Sequence, residues 1–266
     1  MVATREEIDA AEAYESLFVP AVFQQWAPQM VAAAHIQPGH RVLDVACGTG
    51  ALARQILSVV GESGSVSGLD AGAGMLAVAD RLAPSIDWHQ GLAESLPYAD
   101  GSFDAVVCQF GLMFFPDRIA ALQEMSRVLV PDGWLAVAVW DSLENSDGYR
   151  EEVELLRRIA GEEAADALRA PFVLGNRDEV SRLFQDAGLD SPGVETHRGR
   201  AQFPSVRTMV EADLRGWLPL MGVNLSEELI ETILKEAEST LAGYVNQDGA
   251  VEFEAPAHII RAMRSS

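Results

Sequence analysis

The sequence predicts an α/β fold in which a mostly parallel sheet carries helices on both faces. Three observations lead there. Between residues 41 and 140, short apolar runs of strand length alternate with segments whose apolar residues recur at helical spacing. The run Trp134-Leu135-Ala136-Val137-Ala138-Val139-Trp140 is apolar on both faces, as a strand covered on both sides must be. Arg41-Val42-Leu43-Asp44-Val45 ends in Ala46-Cys47-Gly48-Thr49-Gly50 and then in a helical pattern, so a strand turns tightly into a helix.

The elements follow in order. Residues 1–38 read as helices, opened by the capping-box pair Thr4 and Glu7. After the first strand, Ala51, Leu52, Ala53, Ile56, Leu57 and Val60 mark a helix; 65–70 reads as a second strand and 75–82 as a second core helix. Residues 86–91 alternate like a third strand, and 103–109 makes a fourth after the turn Asp100-Gly101. Pro116 and Asp117 open a helix carrying Ile119, Leu122, Met125 and Leu129; Pro131-Asp132-Gly133 breaks it, and 134–140 is the fifth strand. Residues 144–172 are charged and helical, and Asn176 with Glu179 opens a helix that Gly188 closes. A strand is expected over 194–203, two helices within 205–249, the second started by Ser226, and a returning strand over 251–263.

With 266 residues, 48% of them hydrophobic, the chain has material for one large core. We expect a single domain over 1–266: an N-terminal helical lid (1–38), a ligand-binding core (39–142), and helical insertions at 143–172 and 205–249 that form a substrate cap. The net charge of −21 and the absence of a basic patch argue against nucleic acid, which an anionic surface repels. The sequence shows no membrane span, and its acidic start is unlike a secretory signal, so a cytoplasmic monomer or homodimer is expected. Cys47 and Cys108 lie on separate elements, and no His, Cys or carboxylate grouping has metal-ligand spacing.

In an open α/β sheet, ligands bind beyond the carboxyl ends of the strands. That rule gathers the Gly48 to Gly50 turn, Asp70, the Gly91 to Glu94 loop and Gln109 to Gly111 around one crevice. Asp70, at the end of the second strand, suits a ribose, because a carboxylate accepts hydrogen bonds from both hydroxyls. The glycine spacing, Gly48-Thr49-Gly50-Ala51-Leu52-Ala53, also satisfies the pattern of a nicotinamide-dependent oxidoreductase. Asp44 argues the other way: it puts negative charge where a pyrophosphate would approach, and suits a cationic cofactor.

The chain resembles the class I S-adenosylmethionine-dependent methyltransferases, in particular the ubiquinone and menaquinone biosynthesis branch. The residues that carry the likeness are Val42-Leu43-Asp44-Val45-Ala46-Cys47-Gly48-Thr49-Gly50, Asp70, Ala93-Glu94-Ser95-Leu96-Pro97-Tyr98-Ala99-Asp100-Gly101-Ser102-Phe103-Asp104, and Arg127-Val128-Leu129-Val130-Pro131-Asp132-Gly133-Trp134. The resemblance implies a Rossmann-like, seven-stranded sheet and S-adenosylmethionine as cofactor, with S-adenosylhomocysteine as product. It implies that Asp44, Ala46, Gly48 and Gly50 hold the methionine part, Asp70 the ribose, and Ala71, Met75 and the Leu92-Ala93-Glu94 loop the adenine. Gln109 and Phe110 would lie near the methyl group. Ala46 stands where the family often has glycine, which is expected to be harmless on extended backbone. Leu92 stands where the family often has an aspartate that accepts from the adenine amino group.

The implied reaction is in-line displacement, in which O, N or C of a small acceptor attacks the sulfonium methyl and alignment does much of the work. A general base is optional; the candidates are Tyr14, His89 and His197. Tyr14, Phe18, Trp26, Phe114, Trp140, Trp217 and Met221 are expected to wall the acceptor site, and their apolar character points to an apolar or aromatic acceptor. A fold of this kind used as a binding module or a cyclase is the further alternative.

Overall fold

Thr4 starts the first helix, α1 (Arg5–Ala13): its side chain accepts from the Glu7 N–H, and the Glu7 carboxylate accepts from the Thr4 N–H at 2.7 Å. The computed structural model describes residues 3–190 and 192–264, so Met1, Val2, Ser191, Ser265 and Ser266, which the expected lid and domain include, lie outside the described residues. The expected N-terminal helix continues as a wide π-turn, Tyr14–Phe23, and a 3-10 turn, Gln24–Trp26, into α2 (Ala27–Ala33). Pro20 lies inside the π-turn, whose wider coil tolerates a residue without an N–H.

The core alternates as expected: β1 (Arg41–Val45), α3 (Ala51–Val60), β2 (Ser65–Asp70), α4 (Ala73–Leu82), β3 (Asp87–Gln90), β4 (Phe103–Gln109), α5 (Arg118–Val128) and β5 (Leu129–Trp140). Beyond it come α6 (Asp147–Ile159), α7 (Glu162–Arg169), α8 (Arg177–Asp186), β6 (Gly193–His197), β7 (Arg200–Phe203), α9 (Val206–Ala212), a π-turn at Asp213–Trp217, α10 (Leu218–Leu220), α11 (Glu227–Thr240), β8 (Val251–Glu254) and β9 (Ala257–Met263). Seven strands form one sheet in the order β3-β2-β1-β4-β5-β9-β6, with β9 antiparallel to both its neighbours. Val106, Val107, Leu135, Val137 and Val139 on the central strands are fully buried. Capping worked as the sequence predicts at Asn176, which accepts from the Asp178 and Glu179 N–H groups, and at Ser226, which accepts from the Leu229 N–H.

Three expectations change. The fifth strand begins at Leu129 rather than Trp134, because Pro131-Asp132-Gly133 is absorbed as a register shift against β4. The strand expected over 194–203 is two strands: β6 pairs with β9 in the main sheet, and β7 pairs with β8 in a separate two-stranded sheet. The strand expected over 251–263 breaks in the same way, at Ala255 and Pro256. Together they make one antiparallel ribbon bent at Gly199, whose carbonyl accepts from the Ala255 N–H at 2.9 Å. A side chain at Gly199 would collide with the Trp26 indole, so glycine there is a packing requirement.

The two insertions meet. Helix α11 packs on both α6 and α9, and α6 on α7. Among the described residues no helix is long and apolar enough to cross a membrane.

Candidate active site

Val42, Leu43 and Val45 bury β1 on both faces, and Asp44 between them is only 1% exposed. Its Oδ2 has no hydrogen-bond partner. Burial pushes the carboxyl up to about 8, the Asp70 charge adds to the rise, and a backbone hydrogen bond from Ala53 opposes it. A buried acceptor without a donor is costly, so the crevice suits a ligand that brings a cation or an N–H. Gln109 offers a second such acceptor: its Oε1 is buried and unpartnered, while its Nε2 donates to the Phe23 carbonyl at 3.4 Å.

Asp70 closes the β2 end of the crevice and holds the turn itself. Oδ2 accepts from the Gly48 N–H and Oδ1 from the Gly72 N–H, each at 2.8 Å. Burial raises its pKa; those N–H groups and that of Ala71 oppose the rise. A carboxylate has roughly four lone-pair sites, so about one remains for a hydroxyl of a ribose. Two glycines of this region answer to Trp88 on β3: a side chain at Gly50 or Gly68 would strike its indole. Trp88 is anchored by Nε1 donating to the Ala83 carbonyl at 3.0 Å.

Ala46 departs from expectation. Its φ is +56°, in the left-handed region rather than extended, where alanine costs roughly 1–2 kcal/mol. Its methyl also forces Gly111, since a side chain there would lie 2.5 Å from the Ala46 Cβ. Phe110, another left-handed residue at φ +59°, lays its ring on Trp140 at 3.9 Å and 12°.

The N-terminal segment lies over the turn. The Tyr14 ring would be 3.7 Å from a side chain at Gly48. Glu15 accepts from the Thr49 hydroxyl and pairs with Arg54 at 2.6 Å, and Arg54 donates to the Thr49 carbonyl at 2.6 Å. Farther back, Glu12 pairs with Arg81 on α4. Neither ion pair is visible as a motif, because the partners lie 39 and 69 residues apart.

The three candidate bases separate. Tyr14 alone reaches the crevice, and burial together with Asp70, Glu15 and Asp44 raises its pKa, so it is a protonated hydroxyl able to donate rather than a base. His89 sits on the edge strand β3 beside Asp87 at 2.8 Å, and His197 on the opposite edge strand, 3.7 Å from Glu195. Of the adenine-side residues, Ala93 is buried, Leu92 is 62% exposed, and Ala71 is held by the Gln90 amide at 2.9 Å. Met75 stands beside Gly72, and Glu94 turns toward α5, accepting from the Asp117 N–H at 3.4 Å.

The expected acceptor walls also divide. Trp26 is fully buried, edge-on to Phe110 and Trp140, and so belongs to the core beneath the crevice. Phe18 meets Tyr14 and Phe203. Phe114, 41% exposed, meets Trp217 at 5.2 Å, and Met221 lies exposed beyond it. Phe23, which the sequence reading did not select as a wall, touches Tyr14, Phe110 and Trp140 and is central to the cluster. Among the described residues no group of His, Cys, Asp and Glu could hold a metal ion.

Comparison with known proteins agrees with this geometry. A family model described as a methyltransferase domain matches residues 42–133. The demethylmenaquinone methyltransferase of Staphylococcus carnosus is 34% identical over 188 residues, 65% of this chain and 78% of that protein. The ubiquinone/menaquinone biosynthesis C-methyltransferase of Cupriavidus taiwanensis is 36% identical over 184 residues, 62% of this chain and 74% of that one. The crystal structure of a putative methyltransferase from Bacillus halodurans superposes with a TM-score of 0.60 at 20% identity, over 90% of this chain and 99% of that one.

Proposed function

Because this chain belongs to the class I S-adenosylmethionine-dependent methyltransferases, of the ubiquinone and menaquinone biosynthesis type, we propose that it methylates a ring carbon of an apolar, quinol-like aromatic acceptor. That membership leaves the nicotinamide-dependent reading without support. Bound S-adenosylmethionine supplies an activated methyl group on a sulfonium centre. The residues present fit it: Asp44 Oδ2 and Gln109 Oε1 are buried acceptors awaiting a donor or cation, and Asp70 stands beside the glycine turn with lone-pair capacity left over.

The chain's own part is to bind, orient and keep water out. Asp44, with the Ala46 to Gly50 turn, holds the methionine end; Asp70 holds the ribose; Ala71, Met75, Leu92, Ala93 and Glu94 border the adenine. Tyr14 covers Gly48 and donates its hydroxyl into the crevice, with Glu15 and Arg54 latching it down. Alignment of the acceptor in such an enclosed site is worth on the order of 7–11 kcal/mol, which is why no catalytic triad is needed. The stretch 1–38 serves as lid and the insertions at 143–172 and 205–249 as cap.

The observation that carries the acceptor class is two groups of rings at the carboxyl edge of the sheet, Phe23 with Phe110 and Trp140, and Phe114 with Trp217. Radiolabelled methyl transfer tests it. Label from S-adenosylmethionine should enter a reduced 2-unsubstituted naphthoquinone at carbon; label found only in ethers or amines, or no transfer to any aromatic acceptor, sinks the reading.

A further inference from the structure

Two carboxyls in the cap play no part in the crevice described above. Glu152 lies on the buried stripe of α6 with Tyr149, Val153 and Leu156, where the helical period demands an apolar side chain; it is 0% exposed. Neither of its carboxyl oxygens has a hydrogen-bond partner. Asp213, the first residue of the π-turn, is 3% exposed, and its Oδ2 is likewise unpartnered. Asp213 acts on the ionisation of Glu152, and both act on Tyr149, so the three lie within electrostatic reach of one another.

The elements around them reach the Phe114–Trp217 pair: the turn Ala170–Phe172 packs on the turn Leu112–Phe114. Tyr149 packs on Phe172 at 5.6 Å and Phe253 at 5.2 Å, and Trp217, at the far end of the turn that Asp213 opens, meets Phe114. Phe114 follows Phe110 by one short turn. Three acceptor oxygens without donors, inside a mostly apolar cap, are a costly arrangement that a ligand can satisfy. Such departures from the apolar pattern concentrate at functional positions.

We propose that Glu152 and Asp213, with Tyr149, form the polar end of the acceptor site and bind a hydrogen-bond-donating group of the methyl acceptor, a ring hydroxyl or an ammonium. This assignment rests on the methyltransferase reading above. The aromatic side chains hold the apolar body of the acceptor, and the carboxyl pair fixes which end enters first. Burial holds both carboxyls well above the usual carboxylate range, so at neutral pH they meet a hydroxyl as neutral groups. An ammonium would draw them to ionise.

The test is calorimetric binding of three probes to the protein saturated with S-adenosylhomocysteine, without oxygen: naphthalene-1,4-diol, its dimethyl ether, and 1-naphthylmethylamine. The diol or the amine should bind at least tenfold more tightly than the ether. The preference should fall below twofold in Glu152→Met and in Asp213→Leu, and be partly kept in Glu152→Gln, which retains one acceptor oxygen. A diol preference already present at pH 6, where the carboxyls are neutral, assigns a hydroxyl; an amine preference that is weak at pH 6 and grows as the carboxyls ionise with rising pH assigns an ammonium. Equal binding of all three probes, or a preference that survives the substitutions, overturns the proposal. S-adenosylhomocysteine binding by the unsubstituted protein is read in the same titrations. Its absence would overturn the cofactor reading, whereas normal binding with indifferent probes overturns only the assignment of the carboxyl pair.

Discussion

Asp44→Asn should have two effects of opposite sign. The carboxyl is 1% exposed with Oδ2 unpartnered, and its pKa is pushed up to about 8 from an ordinary 3.8. A group whose folded pKa is raised gives its full stability below the unfolded pKa and loses it as pH rises through the folded one. At pH 7 about three of the four intervening units have been crossed, which at 1.36 kcal/mol per unit is on the order of 4 kcal/mol. Asparagine has nearly the same shape and no charge. Allowing for its own buried amide, the ligand-free protein should gain roughly 2–3 kcal/mol at pH 7. The gain should vanish near pH 4 and level off above about 8. In the complex the ligand's ammonium draws Asp44 to ionise, and the substitution removes that charged acceptor, worth about 1.5–3 kcal/mol, so the S-adenosylhomocysteine Kd should rise roughly 10- to 150-fold. Melting scans from pH 4 to 9 and calorimetric titrations at pH 7 read both effects. A variant no more stable than the parent at pH 8, or one that binds S-adenosylhomocysteine as tightly, would refute the account of this carboxyl.

Other outcomes follow from the same geometry. Ala46→Gly should stabilise by up to about 1 kcal/mol in thermal melts by relieving its left-handed backbone. Gly111→Ala, whose methyl would meet that of Ala46, should cost about 1–3 kcal/mol, and the double substitution should recover part of the loss, a coupling that additive melts would disprove. Glu15→Gln breaks the pair with Arg54 over Thr49 and should speed release of S-adenosylhomocysteine severalfold in stopped-flow; an unchanged rate would mean the N-terminal segment does not cover the turn. Gly199→Ala should destabilise by overpacking against Trp26, by about 1–3 kcal/mol in denaturant melts.

What could be read from the sequence was what depends on near neighbours. Strands β1, β4 and β5 are continuous apolar runs because they are covered on both faces, and Thr4, Asn176 and Ser226 announce their helices through bonds made within three residues. Asp44 and Asp70 stood out as carboxylates at strand ends. The bend at Gly199 was not legible, because its cause is the Trp26 indole far along the chain. Likewise the left-handed turn at Ala46 is imposed by how β1 must exit toward α3, and alanine gives no hint of it. Trp88 read as one residue of an alternating strand, yet it sets the need for glycine at positions 50 and 68. Glu152 could have been noticed as a charge on an apolar helical stripe; only the packing of α6 showed how completely it is enclosed.

The most direct test of the central claim, that Asp44 and Asp70 frame the cofactor crevice, is titration calorimetry of S-adenosylhomocysteine against the protein and its Asp70→Ala variant. One molecule should bind per chain with micromolar affinity, and the substitution, which also frees the Gly48 and Gly72 N–H groups, should weaken binding at least a hundredfold. Absent binding, or equal binding by the variant, would contradict it.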